Sequence, residues 1–163
     1  MPHPFSTAIT EQLETIAERQ LACLKDVDDE TLWTDFAPNL SSPGNLVLHL
    51  IGNLNQYVLH TLGGKNVYRE RQKEFSDKPG TSREKLSEMF AATIRECITV
   101  VNTLDDERLS RTYTVQGFAY NGYGILIHAT EHLSHHTGQF SWFCKYLFKA
   151  DIDFYKGRDL NVQ

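Results

Sequence analysis

The chain has 163 residues, enough for one domain with a substantial core and too few for two comfortable ones, so a single domain over 1–163 is expected. Its formal net charge of -5, with no cluster of Lys or Arg, excludes a phosphate-backbone binder, whose affinity rests on basic side chains. Cys23, Cys97 and Cys144 are widely spaced and form no C-x-x-C pair, so neither a disulfide framework nor a thiolate zinc site is expected, and the reducing cytoplasm is the expected compartment.

The N-terminal residues Met1 to Phe5 lack a basic stretch followed by an apolar run, so no signal peptide is expected. No apolar run approaches the ~20 residues needed to span a bilayer, and no membrane partner is expected. A first helix opens near Ser6 or Thr10, carries Leu13, Ile16, Ala17, Leu21 and Leu24 at helical spacing, and ends around Lys25. The stretch from Asp26 to Pro43 reads as a connector with a short helical turn.

Ser41-Ser42-Pro43-Gly44 is a strong helix start, with a Ser cap and Pro at the first helical position. The second helix runs from Pro43 to Leu62 and stops at Gly63-Gly64. Between Asp35 and Lys65 there is no charged residue. A surface helix carries charges on its outer face, so a charge-free one belongs inside the fold or in an oligomer. Asn45, His49, Asn53, Gln56 and His60 fall along one side of it, a row of neutral hydrogen-bonding groups that resembles the lining of a site.

Lys65 to Gly80 is polar and of mixed charge, and reads as a loop with one short turn. Its Lys65, Arg69 and Arg71 are candidates to receive carboxylates of a ligand. The third helix opens at Thr81-Ser82-Arg83-Glu84, buries Leu86, Phe90, Ile94, Cys97 and Val101, and ends near Leu104. Thr112 to Gly117 alternates in the manner of a strand, and Tyr120 to Gly124 reads as a turn. The fourth helix spans about Gly122 to Lys149. Between Arg111 and Lys145 its only charge is Glu131, which marks it as a second inner helix. The aromatics Phe140, Trp142, Phe143, Tyr146 and Phe148 are expected in the core or at an interface, and the tail with Phe154-Tyr155 is expected to dock on the surface. Four amphipathic helices with one long crossover connection predict an all-α four-helix bundle.

The fourth helix carries His128, His132, His135 and His136 on one narrow stripe. Two His at i, i+4 set both imidazoles on one side of a helix, the spacing of a divalent metal site. Both His128/His132 and His132/His136 satisfy it, and the third ligand is expected from the other charge-free helix, where His49 and His60 lie. His128-Ala129-Thr130-Glu131-His132 also matches H-x-x-E-H, the pattern of an inverted zincin metalloprotease. That pattern needs an acidic ligand well downstream, and a much larger protein, so it is set aside.

The run Glu131-His132-Leu133-Ser134-His135-His136-Thr137-Gly138-Gln139 resembles the signature of the DinB/YfiT-like superfamily, in which H-x-x-x-H is followed closely by Gly-Gln. Leu46 to Asn53, with His49, resembles the helix that supplies the family's first histidine. The resemblance implies a four-helix bundle, often a homodimer, with a metal such as nickel or zinc held by His49, His132 and His136. Many members have Arg where this chain has Thr137. His128 and His135 match no ligand position, and His60 is expected to be structural or on the surface. Some relatives are enzymes that use a low-molecular-weight thiol such as bacillithiol or mycothiol, which implies a metal-dependent thiol S-transferase or related hydrolase-like enzyme acting on a small molecule. In that reading Glu131 takes a proton, Gln139 assists catalysis, and Asn53 and Gln56 orient the bound cofactor or substrate. The alternative is a non-catalytic metal- or ligand-binding stress-response bundle.

Overall fold

The computed structural model describes residues 3–162. The elements are α1 (Pro4–Leu24), α2 (Asp29–Leu32), α3 (Pro43–Leu54), a π-helical continuation of α3 (Asn55–Leu62), α4 (Lys73–Ser76), α5 (Arg83–Val101), α6 (Asp106–Ser110), β1 (Thr112–Val115), β2 (Phe118–Asn121) and α7 (Gly122–Phe148). The fold is an all-α bundle of four long helices, with a small hairpin in the last connection. None of the described helices is long and apolar enough to cross a membrane.

The helix boundaries reflect local chemistry. Ser42 accepts from the Asn45 N–H with Pro43 at the first turn, Ser82 accepts from Lys85, and Asn121 accepts from Gly124, so each of the three inner starts has a side-chain cap for an otherwise orphan donor. At its far end α7 stops at Lys149, whose φ of 53° is left-handed. The strand-like alternation at Thr112 to Gly117 becomes β1 and its turn. Thr112 pairs with Asn121 and Val115 with Phe118 in antiparallel register.

α1 packs on both α5 and α7, and α3 packs on the same two helices, so α1 stands diagonally across the bundle from α3. The connections from α1 to α3 and from α5 to α7 therefore cross a diagonal, which takes length, and they contain α2 and the α6–hairpin unit respectively. The core between them includes Leu13, Leu24, Leu50, Leu54, Leu86, Phe90, Ile125, Leu126, Leu133 and Phe140, all nearly inaccessible. Burial of a Leu or Phe side chain contributes about 1.5–3 kcal/mol, so this layer fixes how α3 and α7 face one another. The tail does lie on the surface, where Arg19 donates to the Tyr155 hydroxyl at 3.1 Å and covers the Phe154 ring.

Two local departures from a regular helix distinguish α3. The Gly63 N–H donates to Val58 O, a bond five residues back, so the helix widens after Leu54. Such π turns occur often at functional sites. Gly52, one turn before it, stands where a Cβ would overlap the Glu74 Oε1 atom and lie 2.7 Å from its Cδ. Only a residue without a side chain lets the Glu74 carboxylate lie so close to the α3 backbone.

Candidate metal centre

His49 of α3 and His132 and His136 of α7 come together between the two charge-poor helices. Their ligand nitrogens all lie within 4.8 Å of one another. Ring centroids are 4.5 Å apart for His132 and His136, 4.8 Å for His49 and His132, and 5.1 Å for His49 and His136. His49 is buried, and the two others are half-buried.

The partners of each ring decide which nitrogen is free. His49 Nδ1 lies 2.9 Å from Glu74 Oε2 and 3.2 Å from Arg69 Nη2. The carboxylate contact is shorter and charge-assisted, so Nδ1–H donates to Glu74 and the Nε2 lone pair faces inward. His136 Nδ1–H donates to the Gln139 amide oxygen at 2.7 Å, which frees its Nε2 in the same way. His132 Nε2 stands 3.0 Å from His49 Nε2. Its Nδ1 is buried and has no partner.

That arrangement leaves His132 with at least one unsatisfied nitrogen in either tautomer. If Nε2–H donates to His49, Nδ1 is a buried orphan acceptor; if Nδ1 carries the proton, two lone pairs face each other at 3.0 Å. A cation between the rings relieves the second arrangement. Nitrogens around a tetrahedral zinc ion stand roughly 3.3 Å apart, close to the 3.0 Å between the His49 and His132 Nε2 atoms. Three imidazoles with their outer nitrogens tied or enclosed and their inner ones converging thus fit a divalent transition metal. Protonation of His132 and His136 does not compete at neutral pH. Burial, with His136, His49, His128 and Arg69 nearby, pushes His132 down to about 3. Burial also lowers His136, partly opposed by its bond to Gln139.

Glu74 belongs to the centre although it comes from the segment that reads as a solvated loop. Its carboxylate accepts from Arg69 Nε at 2.6 Å and Nη2 at 2.8 Å as well as from His49. Burial alone would raise the Glu74 carboxyl, but these donors outweigh it and hold the group below its ordinary value. The Arg69 side chain is 5 % exposed and also donates from Nη1 to Gln56 Oε1 at 2.9 Å. Asn45 holds the same segment, donating to the carbonyls of Glu74 and Asp77. Arg69 is therefore occupied within the fold, not waiting for a ligand carboxylate. Lys65 pairs with Glu96 at 2.5 Å, and Arg71 covers the Phe75 ring. The signal for Glu74 was Gly52, a glycine inside a buried helix where nothing in the sequence calls for a turn.

Of the other residues singled out from sequence, Asn53 is buried with its Oδ1 unpartnered. Gln56 accepts from Arg69 and from Gln116 Nε2 at 2.7 Å, so it links the centre to the hairpin turn. Gln139 bridges His136 and His135, the latter at 3.2 Å. Glu131 is exposed and borders an open cavity with His128, His132, Ser134 and His135. His135 is exposed, at the outer edge of the stripe, while His128 packs on Tyr57 at 4.4 Å and lies 5.9 Å from Tyr120. His60 stands apart from the centre; its Nδ1 bonds the Lys65 carbonyl at 2.8 Å. Cys23, Cys97 and Cys144 are free and buried.

A family model described as a protein of unknown function, DUF1572, matches residues 3–155. No curated protein matches. Among solved structures, the DinB-like protein YjoA of Bacillus subtilis superposes with a TM-score of 0.71 at 17% identity, covering 93% of this chain and 99% of that one. A DinB-like protein of Bacillus cereus gives 0.71 at 17% identity, with 89% and 93% covered. A conserved protein of Enterococcus faecalis gives 0.66 at 15% identity, with 89% and 98% covered. The bundle thus has the DinB-like fold.

Proposed function

The chain belongs to the DUF1572 family, and we propose that within its DinB-like bundle His49, His132 and His136 hold a divalent ion, nickel or zinc, that serves a thiol S-transfer reaction. The observation that carries this reading is the convergence of three imidazoles, with an unpartnered buried nitrogen on His132 and its other nitrogen set against that of His49. Three protein ligands leave a coordination position for water or substrate, the pattern of catalytic rather than structural zinc. The open cavities, one lined by His132 and the other by His136, support access to that position.

Held by His49, His132 and His136, a divalent ion would lower the pKa of a thiol and so favour its thiolate at neutral pH. The chain's own residues do the rest. Glu74 and Gln139 fix the outer nitrogens of His49 and His136. The Glu74–Arg69 pair carries no net charge, so it orients His49 without cancelling charge at the centre. Glu131, exposed beside His132, is placed to exchange a proton with a ligand in the adjoining cavity. Asn53 offers a buried, unpartnered amide oxygen to orient water or substrate, and Gln56 does so through Arg69 and the hairpin. The thiol is a low-molecular-weight one, of the bacillithiol or mycothiol type. Three free, buried cysteines support a reducing, cytoplasmic setting. A homodimer belongs to the same proposal, supported by exposed Ile127 on α7, and molecular mass in solution tests it.

The enzymatic reading is tested by incubating metal-loaded protein with bacillithiol and monochlorobimane. Faster conjugate formation than with metal-free protein supports it. Equal rates count against transfer to such acceptors.

A further inference from the structure

A cavity of ≈ 560 Å³ opens beside His136, between the connection that precedes α3, the start of α3, α4 and the C-terminal half of α7. That volume is within the range of small-molecule sites. Phe36, Leu40, Leu46, Phe75, Phe140 and Phe143 form its apolar wall, and none of the described residues lining it is Asp, Glu, Lys or Arg. The polar side chains lining it are Asn39, Ser41, His136 and Gln139, with the Trp142 indole. Phe75 connects the cavity to the centre from the other side, since its ring lies 4.8 Å from that of His49. Phe36 is 41% exposed and Leu40 58% exposed, apolar surface that an occupant would remove from water.

A thiol cofactor bearing carboxylates would find no partner along such a wall, because a buried charge without a counter-charge is strongly disfavoured. A neutral apolar group is favoured there. We propose that this cavity seats the uncharged aryl or alkyl body of the acceptor substrate, with its polar head at His136 and Gln139. The proposal rests on the three-histidine reading for the head group only; the apolar wall stands without it.

The test uses the full chain loaded with zinc and a series from acetohydroxamic to octanohydroxamic acid, whose head binds metals. Affinity is expected to rise roughly three- to fourfold per added methylene while the cavity fills. That dependence should flatten in Phe36→Ser and in Leu40→Asn, which change exposed side chains and leave the core intact. An octyl compound that binds no tighter than the acetyl one overturns the proposal. A parallel arm with metal-free protein and 1-butanol to 1-octanol, read by a tryptophan emission change that Trp142→Phe removes, separates the two readings. Chain-length dependence there with no hydroxamate binding on the loaded protein refutes the metal and keeps the apolar site. Loss of dependence in both arms refutes the site. If wild type is a dimer and Phe36→Ser is a monomer, the face is an interface between copies and the proposal falls.

Discussion

Gly52→Ala is the substitution whose sign discriminates best between local and tertiary reasoning. In an isolated helix this exchange is favourable by about 1 kcal/mol, because alanine restricts the unfolded chain and suits the helix. Here the new Cβ would overlap Glu74 Oε1 and stand 3.0 Å from Arg69 Nε, so the carboxylate and guanidinium must both move. Displacement weakens the charge-assisted bonds from His49 and Arg69 to Glu74, at about 2–4 kcal/mol in total. Subtracting the helix gain leaves a net loss of about 1–3 kcal/mol. The loss of the Glu74 contact frees the His49 ring to rotate, which is expected to lower metal affinity about 10–100-fold. Urea unfolding of metal-free protein gives the first quantity, and competition against a chelator of known affinity gives the second. A variant that is more stable than wild type by about 1 kcal/mol and binds metal equally well would refute the role assigned to Glu74 and to the glycine that admits it.

The same geometry sets three further outcomes. Gln139→Leu removes the acceptor for His136 Nδ1–H without changing a ligand, so metal affinity should fall by about tenfold or more while the fold persists, as measured by the same competition and by circular dichroism. Metal-free protein should lose stability as pH falls from about 6.5 toward 3. The neutral, buried His132 has its folded value pushed down to about 3, so the unfolded chain binds that proton first; stability is full above the unfolded value and declines by at most ~1.4 kcal/mol per pH unit for each such group. His128 and His136 are lowered by burial and act in the same direction, and a stability that rose on acidification in urea melts would contradict the assignment. Burial raises Cys97 to about 12, so the native protein should leave it unmodified by a thiol reagent at pH 8 until denaturant is added.

The long helices were legible because their signals are local: Ser42-Pro43 and Ser82 at the starts, apolar residues at helical spacing, and two charge-free stretches that only an inner helix tolerates. One helical turn leaves His128/His132 and His132/His136 equally open, with His49 and His60 both available on the other inner helix; the resemblance to the DinB/YfiT-like signature implies His49, His132 and His136, the three that come together. Other parts depend on packing that no spacing encodes. Glu74 and Arg69 come from a mixed-charge stretch whose composition is that of a solvated loop, and only their seat over Gly52 buries them. The π turn after Leu54 has no sequence signature, since its wider ladder uses the same residues as an α-helix. His135 shares the stripe of His132 on a helical wheel and is nevertheless exposed, because the wheel gives direction and not how far the neighbouring helix reaches. Trp142 and Tyr146, expected in the core or at an interface, stack on each other at 5.3 Å and remain 67% and 62% exposed.

Whether His49, His132 and His136 share one ion decides everything proposed for the centre. Elemental analysis of purified protein after exposure to nickel and zinc, beside His49→Ala, His132→Ala and His136→Ala, tests it most directly. About one ion per chain is expected in wild type, with a large loss in every variant. Equal, sub-stoichiometric metal in wild type and variants would contradict the shared site.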